Sequence, residues 1–276
     1  MPATSGRERV RRPVSTRLPG TSAMVGRIDI GSAVPVDAAG PDELDVDVPA
    51  SPGTLKKVKV AWSSDGGKEK GTEECDKVMV SVGRRPVTDG LGLAEVGIQT
   101  DKKGFVTVDK HFRTNVPGVS AIGDVITLGT GPHPQLAHVS SAEGIIAAER
   151  IAGQNSKPIN YDHVPGCTYC DPEIGSVGLT EARAKERGFD VRVGTFKFGV
   201  LGRAKIAGET EGFVKIVADK KYDEVLGVHM IGPRSTELVA EATLALRLEC
   251  TVEELIRTIH AHPTMSEAVG EAAGQR

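Results

Sequence analysis

The chain has 276 residues, with Lys+Arg 34 against Asp+Glu 37, a formal net charge of −3 and a pI near 6.2. That length accommodates one large domain or two smaller ones, and the lack of a basic excess argues against nucleic acid as a partner. No apolar run reaches the length of a bilayer span, so a soluble protein with no membrane partner is expected; four cysteines fit a reducing cytoplasm or mitochondrial matrix better than a disulfide scaffold.

Residues 1–27 hold six arginines and one acidic residue, Glu8, whereas residues 28–55 hold six acidic residues and neither Lys nor Arg. Neither helical nor strand periodicity persists there, so residues 1–54 stay unassigned and read as a disordered or aberrantly framed start. An Arg-rich, acid-poor beginning also suits a mitochondrial transit peptide, but Pro2, Pro13 and Pro19 interrupt any amphipathic helix. From Leu55 the pattern becomes regular. Val58, Val60 and Trp62 alternate with lysines and predict a half-exposed strand. The polar stretch Ser63 to Thr72 predicts a turn, and Asp76 to Val82 a buried strand ending in Gly83-Arg84-Arg85-Pro86. Taken alone, Gly83 is a turn glycine.

A turn on Pro117-Gly118 then feeds a short apolar strand ending in Gly123-Asp124. In an open α/β sheet, an acidic residue beyond a strand's carboxyl end can meet a polyol ligand. Taken alone, Gly-Asp is a turn. Pro134-Gln135-Leu136-Ala137-His138 opens a helix that runs to about Ile151 and stops at Gly153. Its small residues Ala137, Ser141, Gly144 and Ala148 predict close approach to a neighbouring element.

Residues 156–276 mix strands and helices. Strands are predicted at 175–179, 191–198, 212–218 and 225–231, and helices at 181–187, 236–249 and 252–259, the last opened by a Thr251/Glu254 capping box. Leu238, Ala242, Ala245 and Leu246 form one apolar stripe. Cys167-Thr168-Tyr169-Cys170 has dithiol spacing, but in a strand residues three apart face opposite ways, so no redox pair is expected. It is also only half of a zinc site, and no metal is expected.

The densest signal is His260-Ala261-His262-Pro263-Thr264-Met265-Ser266-Glu267. Pro263 biases His262 toward extended backbone, and Thr264 with Glu267 has capping-box spacing, so a short helix is predicted just after Pro263. An imidazole at a helix start with a carboxylate one turn inside is the layout of a general base with an acidic partner. Equally, Glu267 can be a capping residue and His262 ordinary interface polarity.

The run Ile231-Gly232-Pro233-Arg234-Ser235-Thr236-Glu237-Leu238-Val239-Ala240-Glu241-Ala242, leading into this octet, resembles the C-terminal interface domain of the flavin-dependent pyridine nucleotide-disulphide oxidoreductases. Within that family, His-Ala-His-Pro-Thr is similar to the dihydrolipoyl dehydrogenase branch. The resemblance covers residues from about 55 to 276. It implies an α/β chain with Rossmann-like character: residues 55–86 would end an NAD-binding domain, 87–155 form the C-terminal part of an FAD-binding domain, and 156–276 form an α+β dimerisation domain. It further implies His262 as base and Glu267 as its orienting partner, acting across a homodimer interface. Asp124 would meet the flavin ribityl chain, Gln135, Leu136, Ala137 and His138 would lie at the flavin ring, and Gly83 near the nicotinamide. Expected cofactors are FAD and NAD, and expected partners are lipoyl-bearing subunits of 2-oxoacid dehydrogenase complexes. Neither Gly-x-Gly-x-x-Gly nor the family's Cys-x-x-x-x-Cys occurs in the sequence, so the chain reads as a truncated version. The competing expectations are a catalytically inactive dimerisation module and, less favoured by His260-Ala261, another disulfide reductase such as a glutathione reductase.

Overall fold

The computed structural model describes residues 23–27, 33–36, 58–64, 69–75, 78–79, 84–131 and 133–275. The chain divides into two units, Met1–Arg84 and Arg85–Arg276.

In the first unit, β1 (Ala23–Arg27), β2 (Ala33–Val36) and β5 (Val78–Met79) form an antiparallel sheet in the order β2-β1-β5. Strands within residues 1–54 depart from the expectation of no regular structure. Pro35 stands in register with Met24 on β2, an edge strand of this sheet, which is where prolines in sheets are found. A hairpin joins β3 (Val58–Ser64) to β4 (Glu69–Cys75), so most of the predicted turn, residues 63, 64 and 69–72, is strand. Strand β4 has no apolar alternation; cross-strand partners define it, with Glu74 opposite Lys59. Trp62 lies over Gly71, where a Cβ would stand 2.5 Å from the indole. Gly83, the rest of the predicted strand 76–82 and most of residues 1–54 lie outside the described residues.

The second unit begins with two short parallel strands, β6 (Val106–Thr107) and β7 (Ile126–Thr127), packed with Val108, Phe112 and Ala147. No strand leads into Gly123-Asp124 as expected; residues 119–122 are irregular apart from an isolated bridge of Ser120 to Arg113. Gly123 adopts φ +78° and opens a 3₁₀ turn, Gly123–Val125, after which β7 starts. Helix α1 (Ala137–Ile151) follows. It buries Val139, Glu143 and Ala147 rather than the small-residue stripe; of that stripe, Gly144 makes the close approach, with a Cβ there falling 3.2 Å from Ile122.

Beyond a 3₁₀ turn at Tyr161–His163 come β8 (Gly166–Thr168), β9 (Ile174–Gly178), α2 (Glu181–Glu186), β10 (Val191–Lys197), α3 (Gly202–Ala207), β11 (Phe213–Asp219), β12 (Val225–Ile231), α4 (Ser235–Arg247), α5 (Val252–Arg257) and α6 (Glu267–Gly274). The strands form one antiparallel sheet in the order β10-β11-β12-β9-β8. Alternation sends Val214, Ile216 and Ala218 of β11 into the main core with Phe198, Val239, Ala242, Leu246 and Val269, whereas Val217 points to a smaller cluster with Ala184 and Leu179. The molecule is therefore mixed α/β followed by an α+β segment.

Burial of Phe198 is complete. Phe198→Ala should cost about 3–5 kcal/mol in urea unfolding of the sheet segment. A loss below about 1 kcal/mol would show that the core does not rest on this ring.

Candidate functional site

The turn between α5 and α6 is built by side chains that answer backbone groups. Thr264 Oγ1 donates to Ala261 O at 2.6 Å and contacts Ser266 Oγ at 2.9 Å. Glu267 Oε2 accepts from Thr264 N–H at 2.8 Å. Only the returning half of the expected capping box is therefore made, because the Thr264 hydroxyl is engaged with Ala261. The helix starts at Glu267, four residues beyond Pro263, rather than just after it.

The other oxygen of Glu267 lies 2.8 Å from His262 Nδ1. An ionised carboxylate only accepts, so Nδ1 carries a hydrogen, and in the neutral ring the lone pair is then on Nε2. The His262 side chain is 77% exposed against 20% for Glu267, so the basic nitrogen faces outward from an anchored ring. Thr264 N–H first, and the His262 bond next, hold the Glu267 carboxyl below the usual glutamate range. His260 is also paired: its Nε2 lies 2.7 Å from Glu241 Oε1 of α4. Sequence reading missed that contact, since Glu241 is nineteen residues away. A cleft of about 410 Å³ opens beside the turn, lined by Arg203, Arg234 and Pro263 to Ser266.

A second group gathers around the start of α1. Gln135 adopts φ +51°, and its Nε2 reaches Asp124 O at 3.4 Å. Leu136 caps the helix without a side-chain bond, and its carbonyl accepts from Val139 and Ser140. The Ala137 and His138 amides stand at the open helix start, where intrahelical acceptors do not exist. The His138 ring turns away to Pro165 O at 3.0 Å. Asp124 and Gln135 to His138 thus converge, whereas His262 and Glu267 are held separately by the C-terminal helices. The second group also holds residues that sequence reading missed: His133, Glu143 and Tyr161. The available signal was a carboxylate on the i, i+4, i+8 stripe Val139, Glu143, Ala147.

Cys167 lies in β8, but Cys170 stands beyond its end rather than in the same strand as expected; both are free thiols. Cys167 Sγ approaches Thr236 O at 3.7 Å and Cys170 Sγ approaches Pro172 O at 3.0 Å. Burial pushes the Cys167 thiol up. Among the described residues no cluster of His, Cys, Asp and Glu has metal-binding geometry, and no helix is long and apolar enough to cross a membrane.

Because the folded Glu267 carboxyl lies below its unfolded value, its contribution to stability is fully present above the unfolded value. That contribution is lost as pH falls through the folded one. A ¹³C titration of Glu267 should show the lowered midpoint, and His262→Ala should move it part of the way back. A parent midpoint at about 4.3, the free glutamate value, would contradict this geometry.

Comparison with known proteins identifies the scaffold around these groups. A pyridine nucleotide-disulphide oxidoreductase model matches residues 50–144, and the dimerisation domain of the same family matches residues 164–273. The mitochondrial dihydrolipoyl dehydrogenase of Pisum sativum is 46% identical over 216 residues, covering 78% of this chain and 42% of that protein. The Bacillus subtilis dihydrolipoyl dehydrogenase is 46% identical over 220 residues, covering 80% and 45%. Among solved structures, LpdA of Mycobacterium tuberculosis aligns with a TM-score of 0.71 at 31% identity, over 80% of this chain and 46% of that one. The HOCl-induced flavoprotein disulfide reductase RclA of Escherichia coli aligns with a TM-score of 0.70 at 25% identity, over 80% and 48%. The chain spans less than half the length of these relatives. With both models falling in sequence order and the fold in agreement, the chain belongs to the pyridine nucleotide-disulphide oxidoreductases.

Proposed function

We propose that the chain is the C-terminal half of a dihydrolipoyl dehydrogenase, which oxidises protein-bound dihydrolipoamide with FAD and NAD. In this reading residues 55–86 end the NAD-binding domain, 87–155 belong to the FAD-binding domain and 156–276 form the dimerisation domain. The observation that carries it is the His262–Glu267 pair, with Nδ1 fixed by the carboxylate and Nε2 left outward.

The residues near α1 suit a flavin. The open start of a 15-residue helix offers amide donors and a positive dipole end, and the Asp124 turn adjoins it through Gln135. Asp124 would hold the ribityl chain and the segment Gln135 to His138 the ring; Gly83 would lie by the nicotinamide. When bound, FAD supplies two-electron exchange between a dithiol and NAD. The chain's own part is acid–base. A thiol becomes the reactive thiolate by losing its proton, and the free thiol pKa of about 8.5 makes a base useful at neutral pH. His262 Nε2 takes that proton, and Glu267 holds the ring and balances the imidazolium through Nδ1–H. Such help is typically worth about 10²–10⁴-fold.

Self-association follows the same reading. The dimerisation segment leaves Ile206, Leu244, Leu248 and Ile259 exposed, the last at 97%. Apolar groups of that number suit a covered face, and a homodimer would bring His262 to the partner subunit. Lipoyl-bearing subunits of 2-oxoacid dehydrogenase complexes are the proposed protein substrates, in cytoplasm or mitochondrial matrix. The second reading is a dimerisation module without activity, and the match of the family's dimerisation domain to residues 164–273 supports the module part of it.

Joined to the N-terminal half of the Bacillus subtilis relative, the chain should support NAD reduction by dihydrolipoamide. His262→Gln should then lower turnover at least about a hundredfold. Near-unchanged turnover would remove His262 from the base role, and a chimera that holds FAD yet stays inactive would favour the second reading. Sedimentation of the 276-residue chain at micromolar concentration should show a dimer; a clean monomer would count against the pairing.

A further inference from the structure

Glu143 is a charged residue on the buried stripe of α1, and it is 0% exposed. Its carboxylate is an acceptor in three hydrogen bonds. Gly123 N–H donates to Oε2 at 2.7 Å, and Tyr161 Oη donates to Oε1 at 2.7 Å. His133 Nε2 lies 2.7 Å from Oε1, with the ring 3% exposed. The direction of that last bond is fixed by geometry: Gln135 N–H donates to His133 Nδ1 at 3.1 Å, so the ring hydrogen is on Nε2. A buried carboxylate is tolerable only when donors replace its water, and here they do.

The three donors come from three segments. Gly123 directly precedes Asp124, His133 stands two residues before Gln135, and Tyr161 opens the turn leading into β8. We infer that Glu143 is the positioning residue of the α1 group, fixing the Asp124 turn against the Gln135–His138 helix start and tying both to the dimerisation segment. That these arms serve a flavin rests on the reading above; the tie does not. Charge matters as well as shape. A carboxamide has one acceptor oxygen and one NH₂, so Glu143→Gln sets donor against donor either at Gly123 or at His133, and in the second case the Tyr161 hydroxyl must also turn from donor to acceptor. Burial first, and the bond to Glu143 next, raise the Tyr161 phenol above its ordinary value.

Hydrogen exchange of the 276-residue chain, read by mass spectrometry, tests the tie without any cofactor. Glu143→Gln should speed exchange about tenfold or more in peptides covering 119–126 and 133–141, with β10 to β12 unchanged. In a Tyr169→Phe/Tyr222→Phe background Tyr161 is the remaining one of three tyrosines, and its ultraviolet titration should move down in Glu143→Gln. Unchanged exchange with an unchanged phenol midpoint would overturn the inference. Should Glu143→Gln unfold the chain, Tyr161→Phe withdraws one donor instead: faster exchange confined to the same two segments supports the tie, and no change overturns it. A completed enzyme that fails to bind FAD while these segments stay protected would defeat the flavin reading and leave the tie standing.

Discussion

The first amides of a helix have no acceptor inside it, and the way this chain answers them organises the second unit. Glu173 accepts from both the N–H and the Oγ1 of Thr236 at the start of α4, at 3.1 and 2.6 Å. Thr180 and Thr251 cap α2 and α5, and Asp223 Oδ2 adds a bond to Glu253 N–H at 3.1 Å. Each of these bonds pins a loop to a helix, and anionic acceptors gain from the helix dipole as well. Helix α1, like α3 and α6, lacks such a side-chain cap. No side chain caps Leu136, and the carboxylate that governs its surroundings is buried along its flank. A ready-made acceptor position thus remains at the one long helix whose start adjoins the Asp124 turn.

The same economy of carboxylates shapes the C-terminal turn. Glu267 divides its two oxygens between a backbone amide and an imidazole, and Glu241 takes the other histidine. His262 is thereby exposed without being loose. An exposed imidazole on a free chain would sample many rotamers and hold neither nitrogen in a defined protonation pattern, whereas here one nitrogen is committed and the other available. Fixing the ring before a substrate arrives lowers the ordering cost of the encounter.

Much of this was legible in the residues. Alternation and turn chemistry located β9 to β12 within a residue or two, because each strand buries one face on helices and is bounded by Gly, Asp or Pro. The Thr251 cap was readable for the same reason. What escaped were features defined by partners rather than by pattern. Strand β4 is polar throughout and exists by pairing with β3. Gly123-Asp124 looked like a strand end because Ala121 and Ile122 are apolar, yet the Gly123 amide is drawn to a carboxylate twenty residues away. The start of α6 was misplaced because a Thr-x-x-Glu spacing cannot reveal that the hydroxyl is already engaged with Ala261. Spacing describes neighbours along the chain; contacts across twenty residues need the fold.

The chain has a single tryptophan, and that residue is Trp62, laid over Gly71 in the β3–β4 hairpin of the first unit. Intrinsic indole fluorescence therefore originates in the first unit, while among the described residues the helices and the five-stranded sheet, which give far-ultraviolet dichroism, lie in the second. Nature has in effect labelled one unit and left the other dark. Two optical signals recorded on the same unmodified sample separate the loss of the hairpin from the loss of the helical unit, and whether their transitions coincide reports the energetic coupling between the two.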